Sequence, residues 1–125
     1  MAKLFITLAS LSGMLAVVLG AFGAHAIKGK LNAYSLDVFE TAVQYHFYHS
    51  IALLAVGVIA LNQPQTTMLK SSGWLFFLGI LVFSGSLYLL SITGIRWLGA
   101  ITPIGGLAFI GGWACLAATG WKLLV

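Results

Sequence analysis

Three histidines are the side chains of this 125-residue chain that are best suited to chemistry. His46 and His49 are three residues apart in one apolar segment, and His25 ends the apolar segment before it. Histidines on neighbouring helices could ligate a metal ion or, in pairs, a haem. No carboxylate stands at the Glu-x-x-His spacing that metal sites in helix bundles use. We therefore expect no metal and no other cofactor, and interpret the histidines as hydrogen-bonded side chains.

The remaining reactive groups do not form a catalytic set. Cys115 is the only cysteine and is expected deep in the fourth helix, in the opposite half of the bundle from every histidine. Asp37 and Glu40 are the only acids. A nucleophilic site needs a base and an orienting group within hydrogen-bond reach, and no such triad can be placed. Asp37 and Glu40 are three residues apart, where they favour the start of a helix. We predict that the protein is not an enzyme.

The composition identifies the surroundings of these residues. Hydrophobic residues make up 61% of the chain and charged residues 6%, whereas about 25% are charged in soluble domains. So few polar groups cannot cover a water-facing surface, which excludes a soluble globule and a disordered chain. The basic residues are dispersed rather than clustered, which excludes a nucleic-acid-binding surface. The lipid bilayer is the predicted partner.

Four uncharged windows indicate how the chain crosses this bilayer: residues 4–27, 41–69, 71–95 and 97–121. A helix needs about 20 residues to cross about 30 Å of hydrocarbon, so each window holds one span. Backbone hydrogen bonds must be satisfied within the span, which favours helices. We predict an all-α integral membrane protein, one domain over residues 1–125 with up-down four-helix topology. Its helices are predicted near 4–27, 35–62 (the membrane part from 42), 72–95 and 98–121.

The residues between these windows are typical of helix ends. The Asn62–Gln65 stretch predicts a turn between the second and third helices. Ser35 is the expected N-cap of the second helix, and Gly94 closes the third. Pro103 falls in the first turn of the fourth, where its missing N–H costs least. The apolar run after Met1-Ala-Lys exceeds the roughly 7–15 residues of a signal-peptide core, so we expect a retained helix.

Small residues and basic residues predict packing and orientation. Small side chains at four-residue spacing let helices approach closely, within one chain or between copies, so a homo-oligomer or a larger complex is compatible with the pattern. In the first helix these residues are Ser12, Ala16, Gly20 and Ala24. Four spans place both termini on one side, and the basic residues divide three against three between the sides. The terminal amino group tips the prediction toward cytoplasmic termini.

A polar cluster is predicted at one interface. If the second helix leaves the hydrocarbon near Leu61, its buried part begins near Ala42, so His46 and His49 lie within two turns of the membrane surface. The opposite half of the bundle is expected to be almost without polar groups. The candidate ligand-binding residues at this interface are His25, Glu40, Gln44, Tyr45, His49 and Arg96.

Two interpretations of this cluster remain open. An interfacial belt would place aromatic side chains at headgroup depth and pair Arg96 or Lys28 with Asp37 or Glu40. A binding site is the alternative, because ionisable groups inside a bilayer often mark function.

Four ordered motifs carry a family resemblance: Gly20-Ala-Phe-Gly-Ala-His25, Phe39-Glu-Thr-Ala-Val-Gln-Tyr-His-Phe-Tyr-His49, Phe83-Ser-Gly-Ser-Leu-Tyr88, and Thr102-Pro-Ile-Gly-Gly106 with Gly112-Trp113. Over essentially the whole chain they resemble the small bacterial inner-membrane family catalogued as domain of unknown function 423, whose eukaryotic relatives are called transmembrane protein 256. The resemblance implies a four-helix protein of the plasma membrane, with no established activity and no catalytic residues to carry over. Many members are expected to have Gln at the position of His46.

The sequence thus predicts a small accessory membrane protein that binds a lipid headgroup, a small solute or a larger membrane complex. A transporter or channel for a small solute or ion is the alternative, and it would require a polar path across the bilayer. A haem- or metal-binding redox protein is the second alternative, and it would use the histidines.

Overall fold

Four long helices build the protein. The computed structural model describes residues 1–63 and 66–123, except for the side chain of Leu123, so Pro64 and Gln65 of the predicted turn lie outside the described residues. The helices are α1 (Ala2–Ile27), α2 (Ala33–Ala60), α3 (Thr67–Thr93) and α4 (Thr102–Leu123), and a 3-10 helix over Arg96–Ala100 precedes α4. Within these described residues, four helical segments are long and apolar enough to cross a membrane. The predicted all-α fold with four spans is confirmed.

The helix ends follow local hydrogen bonding. The prediction of Ser35 as the N-cap of α2 is wrong, because the Asn32 side chain accepts a 2.8 Å hydrogen bond from the Ser35 backbone N–H. Asn32 has the extended backbone that a cap requires, so the helix begins earlier than predicted. Gly94 ends α3 as predicted, with a left-handed φ of 72° that favours glycine.

Helices α2 and α3 form the centre of the bundle. α1 packs mainly on α2, and α4 packs mainly on α3. In the most apolar part of each segment, 44% of the residues are buried in α2 and α3, against 17% in the segments of α1 and α4. The outer helices therefore expose most of their surface to lipid, and α1 leaves a groove between itself and α3.

Close contacts at glycines determine which residues of α1 and α2 lie opposite each other. A Cβ atom added at Gly57 would lie 2.7 Å from Ile6 Cγ1, and one added at Gly20 would lie 2.9 Å from Val43 Cγ1. Such close approach of backbones is typical of helix contacts in membranes. The two helices run antiparallel, so residues 43–57 lie level with the middle of α1.

This packing fixes the position of the histidines along the bundle. His46 lies level with Ser12, near the middle of α1, and His49 lies one turn further along α2, so neither lies at the end of the bundle that contains His25. The prediction counted about 20 residues back from Leu61, whereas contacts with α1 set the level of α2 in the folded bundle.

Two π-helical segments interrupt the regular helices, Val18–Gly23 in α1 and Ile80–Ser84 in α3. Single π turns are often found at functional sites, because they redirect side chains. The segment in α3 forms part of the wall of the groove between α1 and α3.

Candidate functional site

The structure distributes the six predicted site residues over different surroundings. His25 is exposed in the last turn of α1. A basic side chain at this end of a helix interacts favourably with the helix dipole. The Arg96 guanidinium lies 4.6 Å from the centre of the Tyr34 ring, which is a cation–π contact. The belt interpretation pairs Arg96 or Lys28 with Asp37 or Glu40, and the contact that the structure gives Arg96 is with this ring. The contact links the start of α2 to the segment that precedes α4.

The four predicted residues on α2 divide between two of its faces. Glu40 and Gln44 are exposed and line a shallow depression between α1 and α2. Tyr45 and His49 lie together on the side that faces α4, with ring centres 6.0 Å apart. The six residues therefore do not share one pocket, and the predicted cluster separates into at least three locations.

His49 is buried and fully hydrogen-bonded. Trp113 Nε1 donates to His49 Nε2 at 3.1 Å, and His49 Nδ1 lies 2.7 Å from the Tyr45 carbonyl oxygen. An indole N–H can only donate and a carbonyl can only accept, so the His49 proton is on Nδ1. The ring also stacks on Phe109, with centres 3.5 Å apart. These contacts join α2 to α4, and we interpret His49 as a structural residue.

His46 is the centre of a second network, which joins three helices. Its Nδ1 lies 2.8 Å from the Tyr88 hydroxyl of α3, and its Nε2 lies 3.1 Å from the Ser12 hydroxyl of α1. Ser12 Oγ lies 2.6 Å from Ser50 Oγ, and Ser50 donates to the His46 carbonyl at 2.8 Å. His46 is 3% exposed, although it lies in a membrane span. The network is therefore a buried polar link at the centre of the bundle.

The donor and the acceptor of each hydrogen bond in this network can be assigned. The Ser50 hydroxyl donates to a carbonyl, so Ser50 must accept from Ser12, and Ser12 must in turn accept from His46 Nε2–H. We assign the neutral imidazole to His46, because the side chains that it hydrogen-bonds are the hydroxyls of Tyr88 and Ser12 and not a carboxylate. His46 Nδ1 is then an acceptor, and the Tyr88 hydroxyl donates to it. All four contacts are satisfied at once.

Three members of this network, Ser12, His46 and Tyr88, form the polar floor of an open groove between α1 and α3 with a volume of about 300 Å³. That volume is at the lower end of the range for small-molecule sites. The walls are mainly apolar side chains from α1 and α3: Leu8, Leu11, Leu15, Phe77, Ile80 and Leu81. The polar lining comes from Ser12, His46, Ser84 and Tyr88. Leu11, Leu15 and Leu81 are exposed, so the groove opens toward the surrounding lipid.

A sequence profile described as "Protein of unknown function (DUF423)" matches residues 19–106. A UPF0382 membrane protein of Staphylococcus haemolyticus is 50% identical over 122 residues, which cover 98% of both chains. The UPF0382 membrane protein YwdK of Bacillus subtilis is 48% identical over 122 residues, 98% of this chain and 99% of the relative. The chain belongs to the DUF423 family. No solved structure matches it.

Membership of the DUF423 family confirms the resemblance that the motifs indicated, and with it a membrane-embedded protein in contact with the lipid bilayer. The family is one of unknown function, so membership assigns no activity. The matched region contains His46, Ser50, Ser84 and Tyr88, but not Ser12. Any role for the groove must therefore be argued from its own geometry.

The sequence pattern does not identify the serines as members of a site. It places Ser12 on the small-residue face of α1 and Ser84 in a motif of α3. A serine inside a span must find a hydrogen-bond partner, which was the available signal. Near the other end of the bundle, Ser72 is an example, because its Oγ donates to the Gly112 carbonyl at 2.8 Å. Among residues 1–63 and 66–123, no three His, Cys, Asp or Glu side chains are grouped to hold a metal ion.

Proposed function

We propose that this DUF423 protein is a membrane-embedded binding protein that holds one lipid-like molecule in the groove between α1 and α3. The observation that supports this proposal is the combination of an apolar, lipid-facing groove with the polar floor of Ser12, His46 and Tyr88. The proposed role is accessory, as predicted, but its site differs from the interfacial cluster.

The proposed role is binding and not catalysis. Asp37 and Glu40, the only acids, are exposed and lie outside the groove lining. The histidine and hydroxyl groups of the floor bond to one another and do not activate a nucleophile. Association of copies through the outer surfaces of α1 and α4 stays a prediction, and the proposed site does not depend on it.

A variant that fills the groove tests the proposal. A Cβ atom added at Gly85 meets nothing within 4 Å, and Gly85 lines the groove beside Tyr88. We expect Gly85→Leu to fold normally and to exclude a ligand by occupying its space. The measurement is photolabelling of the protein in lipid nanodiscs with two diazirine-bearing long-chain probes, one an alcohol and one a ketone, followed by peptide mapping. Labelling of the groove peptides by at least one probe, and its loss in Gly85→Leu, is the expected result.

The matched control is Gly120→Leu, because Gly120 also has open space around an added Cβ atom but lies on α4 outside the groove lining. Gly120→Leu should be labelled like the wild type. Groove labelling that persists in Gly85→Leu, or that falls equally in both variants, would contradict the proposal.

We also propose that the protein lies in the plasma membrane with both termini in the cytoplasm. The termini side has Lys3, Lys70, Lys122 and the terminal amino group, against Lys28, Lys30 and Arg96 on the other side. After Cys115→Ser, a cysteine introduced at exposed Lys30 should react with a membrane-impermeant maleimide in intact cells. A cysteine at Lys3 should react only after lysis, and the reverse pattern would establish the opposite orientation.

A further inference from the structure

The hydrogen-bond inventory of the groove floor limits what the ligand can be. The Tyr88 hydroxyl proton is donated to His46 Nδ1, and the Ser12 proton is donated to Ser50. The Ser84 hydroxyl, also in the lining, donates to the Ala42 carbonyl at 2.9 Å. Each polar hydrogen of the lining side chains is thus already bonded within the protein.

The hydroxyl oxygens of the groove floor still have free lone pairs that can accept a hydrogen bond. A hydroxyl oxygen has one proton and two acceptor sites, so Tyr88 Oη and Ser12 Oγ each keep a free acceptor site, whereas the fully buried Ser84 is out of a ligand's reach. The groove therefore presents acceptors to a ligand and no donors. A ligand carbonyl placed against this floor would meet only oxygen lone pairs and would leave its own hydrogen-bonding group unsatisfied in an apolar environment, at a cost.

We infer that the ligand of the groove is a membrane-soluble alcohol, whose hydroxyl donates its proton to the floor. This inference rests on the proposed binding function and adds the chemical class of the ligand. Because the floor lies level with the middle of α1 and α2, a hydroxyl part-way along an apolar chain suits it better than a terminal one. His46 acts as a positioning residue, because it holds the Tyr88 proton away from the groove.

The test compares two competitors of the same shape. A long-chain secondary alcohol with its hydroxyl at mid-chain, and the ketone of the same skeleton, compete with the photoreactive probe that labels the groove more strongly in nanodiscs. We expect the alcohol to displace the probe at about a tenfold lower mole fraction than the ketone. The alcohol gains a hydrogen bond to the floor, whereas the ketone oxygen loses one, and a difference of this size corresponds to about tenfold in affinity. The alkane of the same length measures binding by the apolar chain alone.

Two variants at His46 separate positioning from a structural role. In His46→Leu, the Tyr88 hydroxyl loses its acceptor and its proton can turn into the groove, so the preference for the alcohol should disappear. In His46→Gln, the amide oxygen can accept from Tyr88 while the amide N–H donates to Ser12, so the preference should be retained. A loss of folding alone would lower competition by both compounds and leave their ratio unchanged.

The outcomes are distinct. Groove labelling by neither probe overturns the proposed binding function. Labelling with equal displacement by alcohol, ketone and alkane leaves that function intact and overturns the inference about the hydroxyl. Stronger displacement by the ketone in the wild type, or an unchanged alcohol preference in a folded His46→Leu variant, also overturns it. If His46→Leu does not fold, the wild-type comparison and His46→Gln decide the question.

Discussion

Gly105→Ala is expected to destabilise the folded bundle by about 3 kcal/mol, the upper part of the range for overpacking a close contact. An added Cβ atom at Gly105 would collide with the backbone N and Cα atoms of Phe83. A backbone cannot move aside as the end of a side chain can, so α4 would have to separate from the π-helical segment of α3. The free energy of unfolding, measured by SDS titration in mixed micelles, would show the loss.

The neighbouring glycine provides the control. A Cβ atom at Gly106 would lie 3.9 Å from Phe83 Cδ2, an ordinary van der Waals distance. Gly106→Ala should therefore unfold like the wild type or at slightly higher denaturant, since alanine favours helix. Equal stability of the two variants would contradict the close contact between α3 and α4 at Phe83.

Phe5→Ala is expected to cost about 2 kcal/mol or more and to loosen α1 from the bundle. Phe5 is fully buried, its ring packs onto the glycine surface at Gly73, and its edge contacts Trp74 at a centroid distance of 5.6 Å. Lipid is as apolar as the core, so the loss comes from packing and not from transfer out of water. Thermal unfolding in detergent should show a lower midpoint.

Phe22→Ala is the control on the same helix, because the Phe22 side chain is 71% exposed. Its removal should leave the midpoint of unfolding unchanged. A similar loss in both variants would mean that α1 is held by its whole surface and not by the residues around Phe5.

The spans and their number could be predicted from the sequence, because they depend on the bilayer thickness and on where charges are absent. Gly94 could be predicted too, since a left-handed residue after a helix favours glycine. The position of α2 along the axis of α1 could not be predicted. It depends on which glycine meets which side chain across the α1–α2 contact, and spacing along one helix does not contain that information.

The partners of the candidate site residues could not be predicted from the sequence either. His46 and His49 are three residues apart, and the sequence suggested that both belong to one interfacial cluster. In the structure His46 bonds to α1 and α3, while His49 bonds to Trp113 of α4. A rotation of about 60° between the two positions is enough to give them different neighbouring helices. The partners Ser12 and Tyr88 could be identified only after the helices had been placed.

The π-helical segment Ile80–Ser84 has a consequence for how α3 can vary in length. Its backbone hydrogen bonds join residues that are five apart in the sequence, whereas those of an α-helix join residues that are four apart. Deleting one residue there would restore a regular helix and leave the two flanking halves in their present rotational relation. Deleting one residue from a regular stretch of the helix would turn the following half by about 100°. The third span therefore contains one place at which natural or engineered shortening can keep Tyr88 aligned with its imidazole partner.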